Sequence, residues 1–330
     1  MKATAIANAN IALVKYWGKR DPELFLPYNG SIAVTLDELS TITTIEFNRY
    51  DKDVFILDDQ EIKEGKELEK LIRHLDLIRK IAGVNEKAKI VSKNNFPRAA
   101  GLASSASGFA ALTFAATEAL GMNLDSKELS IISRQGSGSA TRSCLGGFVE
   151  WNKGEKQDGT DSYAEQIALP EHWPDFRMLT TIVSTKAKKI SSRVGMAQAA
   201  ETSPMYQVWL NTIEQDLKNV RQGVLNKDIN LIGKAAEENC LKMHATAITT
   251  NPPIIYWQPA TLEIIRSVLR WREEGLECYF TIDAGPQVKV ICLEDKASDL
   301  VKRLENLDGV KKVIVCKPGQ KPKIIEEHLF

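Results

Sequence analysis

The 330-residue sequence predicts an α+β fold, and two observations lead to that prediction. In the first half, alternating apolar stretches typical of strands are interrupted by a helical stripe. In the second half, the stretch 259–316 has the order helix, two strands, helix, strand, which is typical of an α+β sandwich. Because long helical patterns begin only in the second half, we predict two domains, residues 1–184 and 185–330.

Each element of the first half follows from the spacing of its apolar residues. Alternation predicts strands, and a spacing of three to four residues predicts helices. Asp125 and Glu128 add a capping box at one helix start, and Gly121 can cap the end of the preceding helix. The predicted elements are strands at 3–14, 41–47, 88–92 and 148–151, helices at 68–81, 109–120 and 125–133, a short helix ending near 146–147, and a surface loop at 158–165.

The second half is dominated by helical patterns. The triplet Ala284, Gly285 and Pro286 between two apolar stretches predicts a tight turn that joins two strands. The predicted elements are strands at 179–184, 278–283, 288–293 and 311–316, and helices at 205–223, 228–246, 259–274 and 296–306.

The composition argues against several classes of function. Lysine plus arginine and aspartate plus glutamate number 43 each, so no whole-protein field favours nucleic acid or an anionic membrane. Any anion site is therefore a local cluster. The five cysteines contain no C-x-x-C pair, which favours reduced thiols in a cytosolic protein. No apolar stretch approaches the ~20 residues needed to span a bilayer. We expect a cytoplasmic protein whose partner is a small molecule.

A loop of very small residues, PRAAGLASSASG at 97–108, runs directly into the helix at 109–120. Small side chains let the backbone approach a ligand closely. The unpaired N–H groups and the positive dipole end of a helix favour an anion such as phosphate. The alternative is a tight turn packed on a sheet, with serines that act only as helix caps. The residues alone leave both interpretations open.

This loop is neither a Walker loop nor the G-x-G-x-x-G of dinucleotide folds. Its pattern, P-x-A-A-G-L-A-S-S-A-S, resembles the ATP loop of the GHMP kinase superfamily, and its double alanine is closest to the diphosphomevalonate decarboxylase branch. The resemblance implies a two-lobed GHMP kinase-like fold, with an N-terminal ATP-binding domain and the active site in the cleft between the lobes. It also implies ATP and Mg²⁺ as cofactors, with no metal ligand assigned. The implied phosphate-binding residues are Gly101, Leu102, Ala103, Ser104, Ser105 and Ser107.

Three cations, Lys15, Lys19 and Arg20, follow the first predicted strand. Cations at a strand end can hold an anionic ligand, and the alternative is a solvated strand end. The string KYWGKRD matches the signature of the diphosphomevalonate decarboxylases. The resemblance implies that Lys15, Tyr16 and Lys19 touch the carboxylate and diphosphate of the substrate.

A second small-residue segment, GSGSATRS, lies at 136–143. Its backbone amides can face outward, and the fork of Arg142 can hold a carboxylate through two parallel bonds. The alternative is a loop between helices with Arg142 in a surface ion pair. The segment matches the family motif G-S-G-S-A-x-R. The resemblance implies that Arg142 faces the substrate carboxylate and that Ser137, Gly138 and Ser139 bind the substrate.

A third segment, SSRVGM at 191–196, matches the family motif S-S-R-x-G-M. On its own, Ser192 is interpreted as a helix cap. In the family this motif holds the phosphate end of the substrate, which implies substrate contacts from Ser192, Arg193 and Met196.

A fourth match is IDAGP at 282–286. Asp283 ends an apolar stretch beside a Gly-Pro turn, and such a carboxylate either forms the turn or is catalytic. The family's D-A-G-P motif carries its catalytic aspartate, which corresponds to Asp283. The four motifs occur in family order and cover most of the chain.

The resemblance implies ATP-dependent decarboxylation of mevalonate 5-diphosphate to isopentenyl diphosphate, with release of ADP, phosphate and CO2. Lys19 and Arg193 are expected to hold the diphosphate, and Arg142 with Lys15 the carboxylate. Asp283 is expected to orient the 3-hydroxyl, accept its proton, or both, and then to stabilise positive charge at the tertiary carbon. The alternatives are a decarboxylase of mevalonate 5-phosphate or 3,5-bisphosphate, a 3-kinase, and an inactive nucleotide-binding homologue. The family also implies a homodimer.

The sequence departs from the family pattern at three positions. Gly30 replaces a usual polar residue, Ala33 replaces a serine, and Gln287 stands where the family often has asparagine. These departures leave the fine substrate selectivity open, but not the reaction class. The four histidines lie outside all motifs and are uninformative: His74, His172, His244 and His328.

Overall fold

The computed structural model describes residues 1–96, 104–186 and 189–330. Its strands are β1 (Lys2–Val14), β2 (Lys19–Asp21), β3 (Leu26–Pro27), β4 (Ser31–Asn48), β5 (Val54–Leu57), β6 (Gln60–Glu61), β7 (Lys87–Asn94), β8 (Phe148–Trp151), β9 (Ala164–Ala168), β10 (Phe176–Ile182), β11 (Tyr279–Ile282), β12 (Val288–Leu293), β13 (Lys312–Cys316) and β14 (Lys323–Ile325). Its helices are α1 (Lys66–Ala82), α2 (Ser104–Ala119), α3 (Ser126–Gly136), α4 (Ala140–Ser143), α5 (Ser192–Thr202), α6 (Tyr206–Leu210), α7 (Ile213–Asn226), α8 (Ile229–Ile248), α9 (Pro259–Glu273) and α10 (Glu294–Glu305).

The first sheet is organised around β4, an 18-residue strand. β4 is antiparallel to β1 along most of its length, to β8 near its start and to β7 near its end. The sheet runs β14-β1-β4-β7-β5-β6, and β9 extends it beside β8. Helix α2 packs on β1 and β4. It does so through buried alanines, whose short side chains allow helix and sheet to approach closely.

The second sheet has the antiparallel order β11-β12-β10-β13. Helices α9 and α10 pack against it over an apolar core that includes Leu179, Val268, Phe280, Val290 and Leu300. The turn at 284–286 joins β11 to β12, so Asp283 lies at the end of a buried strand.

A continuous apolar core joins the two sheets. It contains Ile11 and Phe148 from the first sheet together with Phe176 and Met178 from the second. Helix α8 packs against both β11 and β1, which brings the ends of these two strands together. The segments that carry the first and fourth motifs therefore meet, although 268 residues of sequence separate Lys15 from Asp283.

Most of the predicted elements are confirmed, and the differences have physical reasons. The strand predicted at 41–47 is only the second half of β4, because polar residues around Asp37 and Ser40 interrupt the apolar alternation. The Asp125–Glu128 capping box is present, but α3 continues past Ser133 to Gly136. The single helix predicted at 205–223 is divided into α6 and α7. Strand β9 begins inside the loop predicted at 158–165.

The division into domains 1–184 and 185–330 stays a prediction, and two strands depart from it. β10 precedes residue 184 but pairs with β12 and β13 in the second sheet. β14 lies near the C-terminus but pairs with β1, with Thr4 opposite Ile325. Among the described helices, none is both long and apolar enough to cross a membrane.

Candidate active site

The four motifs line one cavity of about 340 Å³ between the two sheets. The strand ends after β1 and β11 and the starts of α2 and α5 form its walls. The predicted site residues that line it are Lys15, Tyr16, Lys19, Ser104, Ser105, Ser137, Gly138, Ser139, Arg142, Ser192, Arg193, Met196 and Asp283.

Asp283 is held by two lysines. Its Oδ1 accepts a hydrogen bond from Lys15 Nζ at 2.7 Å, and its Oδ2 lies 3.4 Å from Lys289 Nζ. Burial alone raises the pKa of this carboxyl, but Lys15, Lys289 and the Arg142 guanidinium outweigh burial and hold the pKa well below its usual range. Asp283 is therefore a carboxylate at any physiological pH.

Lys15 is fixed through its backbone as well as its ammonium group. Its N–H donates to Asn239 Oδ1 on α8, and its carbonyl accepts from Asn29 Nδ2, both at 2.8 Å. Its Nζ also donates to the Ala12 carbonyl at 2.7 Å. The Lys15 side chain is 3% exposed yet lines the cavity beside Asp283, so the structure pairs Lys15 with the aspartate.

Two groups around Asp283 were missed by the sequence reasoning. Lys289, 1% exposed on β12, lies within the stretch 288–293, for which the apolar pattern predicts only a strand. The signal was available, because a lone lysine in such a strand requires a buried partner. His244 of α8 also lies near Asp283, and burial lowers its pKa to about 3, so the imidazole is neutral.

Arg142 is a buried cation on the cavity wall. Its Nε donates to Asn10 Oδ1 at 3.1 Å, and its Nη1 donates to the Ser31 hydroxyl. Burial lowers its pKa to about 10, against the opposing effect of Asp283, so the guanidinium stays charged at neutral pH. The surface ion pair considered as an alternative is wrong, since Arg142 is 3% exposed. A buried guanidinium held by neutral groups at a cavity can receive a carboxylate.

Tyr16 points its polar end into the buried interior without a partner. Its hydroxyl has no hydrogen-bond partner among the described residues, and burial raises its pKa above the usual range. The glycine at 138 allows this placement, because a Cβ there would lie 2.6 Å from the Tyr16 ring. An unpartnered buried hydroxyl costs free energy, which a bound acceptor would recover.

Three further cations, Lys19, Lys70 and Arg193, line the cavity, and Arg73 lies beside them over the ring of Phe25 without lining the cavity. Lys19 and Arg193 were predicted, while Lys70 and Arg73 of α1 were not. They stand three residues apart on the polar side of an amphipathic helix, where charge is ordinary, so the sequence carries no signal for them. None of the four forms an ion pair within the described residues. Burial, followed by the repulsion of Arg193, Arg73 and Lys70, lowers the pKa of Lys19 to about 7.

Ser191, not Ser192, caps helix α5. The Ser191 hydroxyl accepts from the Val194 N–H at 3.3 Å. The capping role considered for Ser192 is therefore wrong, and its side chain is available on the cavity wall beside Arg193.

Two family models together match most of the chain. The Diphosphomevalonate decarboxylase-like N-terminal domain matches residues 7–164, and the Mevalonate 5-diphosphate decarboxylase C-terminal domain matches residues 178–314. The chain belongs to the diphosphomevalonate decarboxylase family. It is 37% identical to a diphosphomevalonate decarboxylase of Ganoderma lucidum over 322 residues, which cover 91% of this chain and 80% of that protein.

Solved structures of diphosphomevalonate decarboxylases share the fold. The mevalonate diphosphate decarboxylase from Staphylococcus aureus has a TM-score of 0.92 and 40% identity, over 98% of each chain. A structure of MDDEF in complex with MVAPP, AMPPCP and magnesium has a TM-score of 0.92 and 41% identity, over 99% of each chain. The predicted α+β, GHMP kinase-like fold is thereby confirmed.

The small-residue loop of the diphosphomevalonate decarboxylase family is described only from Ser104 onward. Gly101, Leu102 and Ala103, predicted to bind phosphate, lie outside the described residues. Ser104 and Ser105 open α2, where the first N–H groups have no intrahelical acceptor, and Ser137 donates to the Ser105 hydroxyl at 3.3 Å.

Ser107 of α2 faces the sheet. It is fully buried, and its hydroxyl shares a 2.7 Å hydrogen bond with Thr41 on β4 instead of lining the cavity. One turn into α2, residue 107 falls on the helix face that packs on the sheet. The prediction that Ser107 binds phosphate is therefore not supported by its position.

The three departures from the diphosphomevalonate decarboxylase pattern lie away from the cavity lining. A Cβ at residue 30 would lie 3.1 Å from Leu217, and Ala33 is buried in the β1–β4 ladder. Gln287 is 1% exposed, accepts from the Val183 N–H at 2.6 Å and donates to the Ser184 carbonyl. These residues therefore contribute to packing.

No cluster of three or more histidine, cysteine or carboxylate side chains that could hold a metal occurs among residues 1–96, 104–186 and 189–330. The carboxylate that lines the described cavity is Asp283, already occupied by lysines. Several serines line the same cavity. These side chains therefore suit an anion that brings its own metal ion, such as a nucleotide phosphate with Mg²⁺, better than a metal ion held by protein ligands alone.

Proposed function

We propose that this chain converts mevalonate 5-diphosphate and ATP to isopentenyl diphosphate, ADP, phosphate and CO2. The observation that carries the proposal is one cavity with a lysine-held carboxylate, a buried guanidinium and a separate cluster of unpaired cations. These three groups match the 3-hydroxyl, the carboxylate and the diphosphate of that substrate. The names of the relatives and the MVAPP in one related structure support the same assignment.

In this proposal Asp283 orients the 3-hydroxyl toward the γ-phosphate of ATP. Because the two lysines keep it a weak base, it acts mainly by accepting a hydrogen bond. A strong base is not required when phosphoryl transfer is loose and the hydroxyl proton leaves late. The O3–Pγ bond forms as the bond from Pγ to the ADP oxygen breaks, and the hydroxyl proton, now strongly acidic, passes to the Asp283 carboxylate and from it to solvent, which restores the carboxylate.

The elimination follows in the same site. The C3–O bond breaks with departure of phosphate, the C1–C2 bond breaks with release of CO2, and its electron pair forms the double bond. Positive charge builds at C3, and the fixed carboxylate of Asp283 stabilises it. Arg142 holds the departing carboxylate in the orientation that cleavage requires.

Ser104 and Ser105, with the free N–H groups at the start of α2, are proposed to bind the ATP phosphates. AMPPCP and magnesium in the related structure support this cofactor pair. When bound, Mg²⁺ neutralises phosphate charge, with ligands supplied by the phosphates and the surrounding hydroxyls.

We also propose a cytoplasmic homodimer. The support is the family resemblance and the five cysteines, all buried free thiols, which suit a reducing compartment. Light scattering on the purified protein tests the oligomeric state.

The central experiment supplies ATP with each mevalonate ester and measures ADP and CO2 separately. We expect both products, in equal amounts, from mevalonate 5-diphosphate. ADP without CO2 would identify a 3-kinase, and preference for the 5-phosphate or the 3,5-bisphosphate would replace the diphosphate assignment. No product from any ester would indicate an inactive homologue.

Replacing Arg193 with alanine should raise KM for mevalonate 5-diphosphate by about tenfold or more, since a charge-assisted bond contributes roughly 1.5–3 kcal/mol. The effect on mevalonate 5-phosphate should be much smaller, because that ester lacks the second phosphate. Steady-state kcat/KM for both esters in both proteins measures this. Exposed Arg266 of α9, replaced by alanine, is the matched control. Equal losses for both esters would contradict the assignment.

The affinity for mevalonate 5-diphosphate should fall as pH rises above about 7. The pKa of Lys19 is lowered to about 7 by burial and by Arg193, Arg73 and Lys70, and a bound anion raises it. Protonated Lys19 binds the anion better than neutral Lys19. The affinity therefore begins to fall at the pKa that Lys19 has in the free protein, which is lower than its pKa in the complex. Titration calorimetry across pH measures it. A Lys19→Arg control, always charged, should remove this dependence while retaining the ligand's own titration.

A further inference from the structure

Three cations lie close to the aromatic ring of Phe25. Lys19 Nζ lies 3.3 Å from the ring centroid, and the guanidinium carbons of Arg73 and Arg193 each lie 5.1 Å from it. Cation–π contacts extend to about 6 Å, and significant ones occur roughly once per 70–80 residues. Three cations on one ring, from β2, α1 and α5, therefore require a local explanation. The ring also lines the cavity.

The backbone at Phe25 is held in a conformation that bulky residues rarely adopt. Its φ is 58°, in the left-handed region, where a side chain is strained. The turn is fixed by Asp21 Oδ1, which accepts from the N–H groups of Glu23 and Leu24 at 2.8 Å. Arg134 Nε adds a bond to the Leu24 carbonyl at 3.0 Å. Glycine or asparagine would suit this backbone conformation better, so the phenylalanine present here is strained, and that strain indicates a role for its ring.

The cations need such a partner when no substrate is bound. Without ion pairs among the described residues, Lys19, Arg73 and Arg193 repel one another. The face of an aromatic ring is negative, and its attraction for cations grows when water is excluded. Phe25 is 2% exposed and Lys19 and Arg193 are half-buried, so these two contacts are shielded from water, whereas Arg73 is exposed.

We propose that Phe25 is a positioning residue that gathers Lys19, Arg73 and Arg193 into a preformed diphosphate-binding cluster and thereby sets the preference for a diphosphate over a monophosphate. The inference rests on the proposed function for the identity of the substrate. It adds that the ring of Phe25 fixes the positions of the three cations before the substrate binds. Preorganised cations lose less entropy on binding, which increases affinity.

The test replaces Phe25 with phenylalanines carrying one, three and five ring fluorines, introduced by codon suppression. Fluorine withdraws the negative charge of the ring face and changes its shape little. Calorimetry with mevalonate 5-diphosphate should show Kd rising stepwise, to about tenfold for the most fluorinated ring. Kd for mevalonate 5-phosphate should rise less. Kd for an ATP analogue and the Tm should remain constant.

Phe25→Leu and Phe25→Trp give a second series. Leucine should raise Kd as the fluorinated ring does, and tryptophan, a better cation–π partner, should retain tight binding. Equal Kd values across the fluorinated series would overturn the inference, whatever the leucine variant does. Inorganic pyrophosphate serves as an independent probe. If pyrophosphate binding weakens along the fluorinated series but the wild type does not bind mevalonate 5-diphosphate, the proposed substrate is wrong and the role of Phe25 is supported.

Discussion

Replacing Asp283 with asparagine should lower kcat by about a thousandfold or more, on the scale of lost electrostatic and acid–base assistance. Asparagine keeps the shape but removes the charge that faces the 3-hydroxyl and the developing cation. It also leaves the ammonium groups of Lys15 and Lys289 without their shared carboxylate. Pre-steady-state and steady-state release of ADP and CO2 measure the loss.

The affinity for ATP should survive this change, because Ser104 and Ser105 at the start of α2 lie on another wall of the cavity. Asp308→Asn, at an exposed position, is the matched control and should turn over normally. If the Asp283→Asn protein turns over within about tenfold of wild type, the assignment of the catalytic carboxylate is wrong.

Replacing Arg142 with glutamine should lower kcat/KM by about a hundredfold or more. Two charge-assisted bonds to the substrate carboxylate, at roughly 1.5–3 kcal/mol each, would be lost. Glutamine can still form hydrogen bonds with Asn10 and Ser31, the two partners of Arg142 in the structure, so the structure of the cavity wall should be retained. Kinetics with mevalonate 5-diphosphate, alongside the Tm, separate the loss of function from unfolding.

Arg142→Lys provides the informative comparison. Lysine retains the charge but lacks the planar fork, so its kcat/KM should fall between those of wild type and the glutamine variant. If the glutamine variant has the kcat/KM and Tm of the wild type, the assignment of Arg142 to the substrate carboxylate is wrong.

The sequence predicted the residues that stand in contiguous motifs and missed those that reach the cavity from elsewhere. Asp283 and Arg142 were found because each lies in a string with family-specific neighbours. Lys70 was not, since its spacing on α1 is that of any solvated helix face. Phe25 follows a short polar turn with no periodicity. The side chains that line a cavity come from segments that are distant in sequence. Their packing against one another brings these side chains together, and residue spacing within one segment does not reveal that packing.

The sequence carried a further signal at two positions. Lys289 interrupts an otherwise apolar strand, and a buried lysine requires an anionic partner, here Asp283. Ser107 lies four residues before Ala111 on one helix face, and that alanine was bound to pack on the sheet. The phase of the helix therefore argued against a phosphate-binding role for Ser107.

The pairing of β14 with β1 constrains how the protein can be made. The strand that covers the outer edge of β1, Lys323–Ile325, is synthesised more than 300 residues after β1. Until then the backbone groups on that edge have no partner, and an open edge invites pairing with other chains. Closing it requires a contact of very high sequence separation, which slows folding. The first sheet therefore becomes complete only after β14 has been translated, which follows synthesis of every strand of the second sheet, so the two sheets complete their folding together.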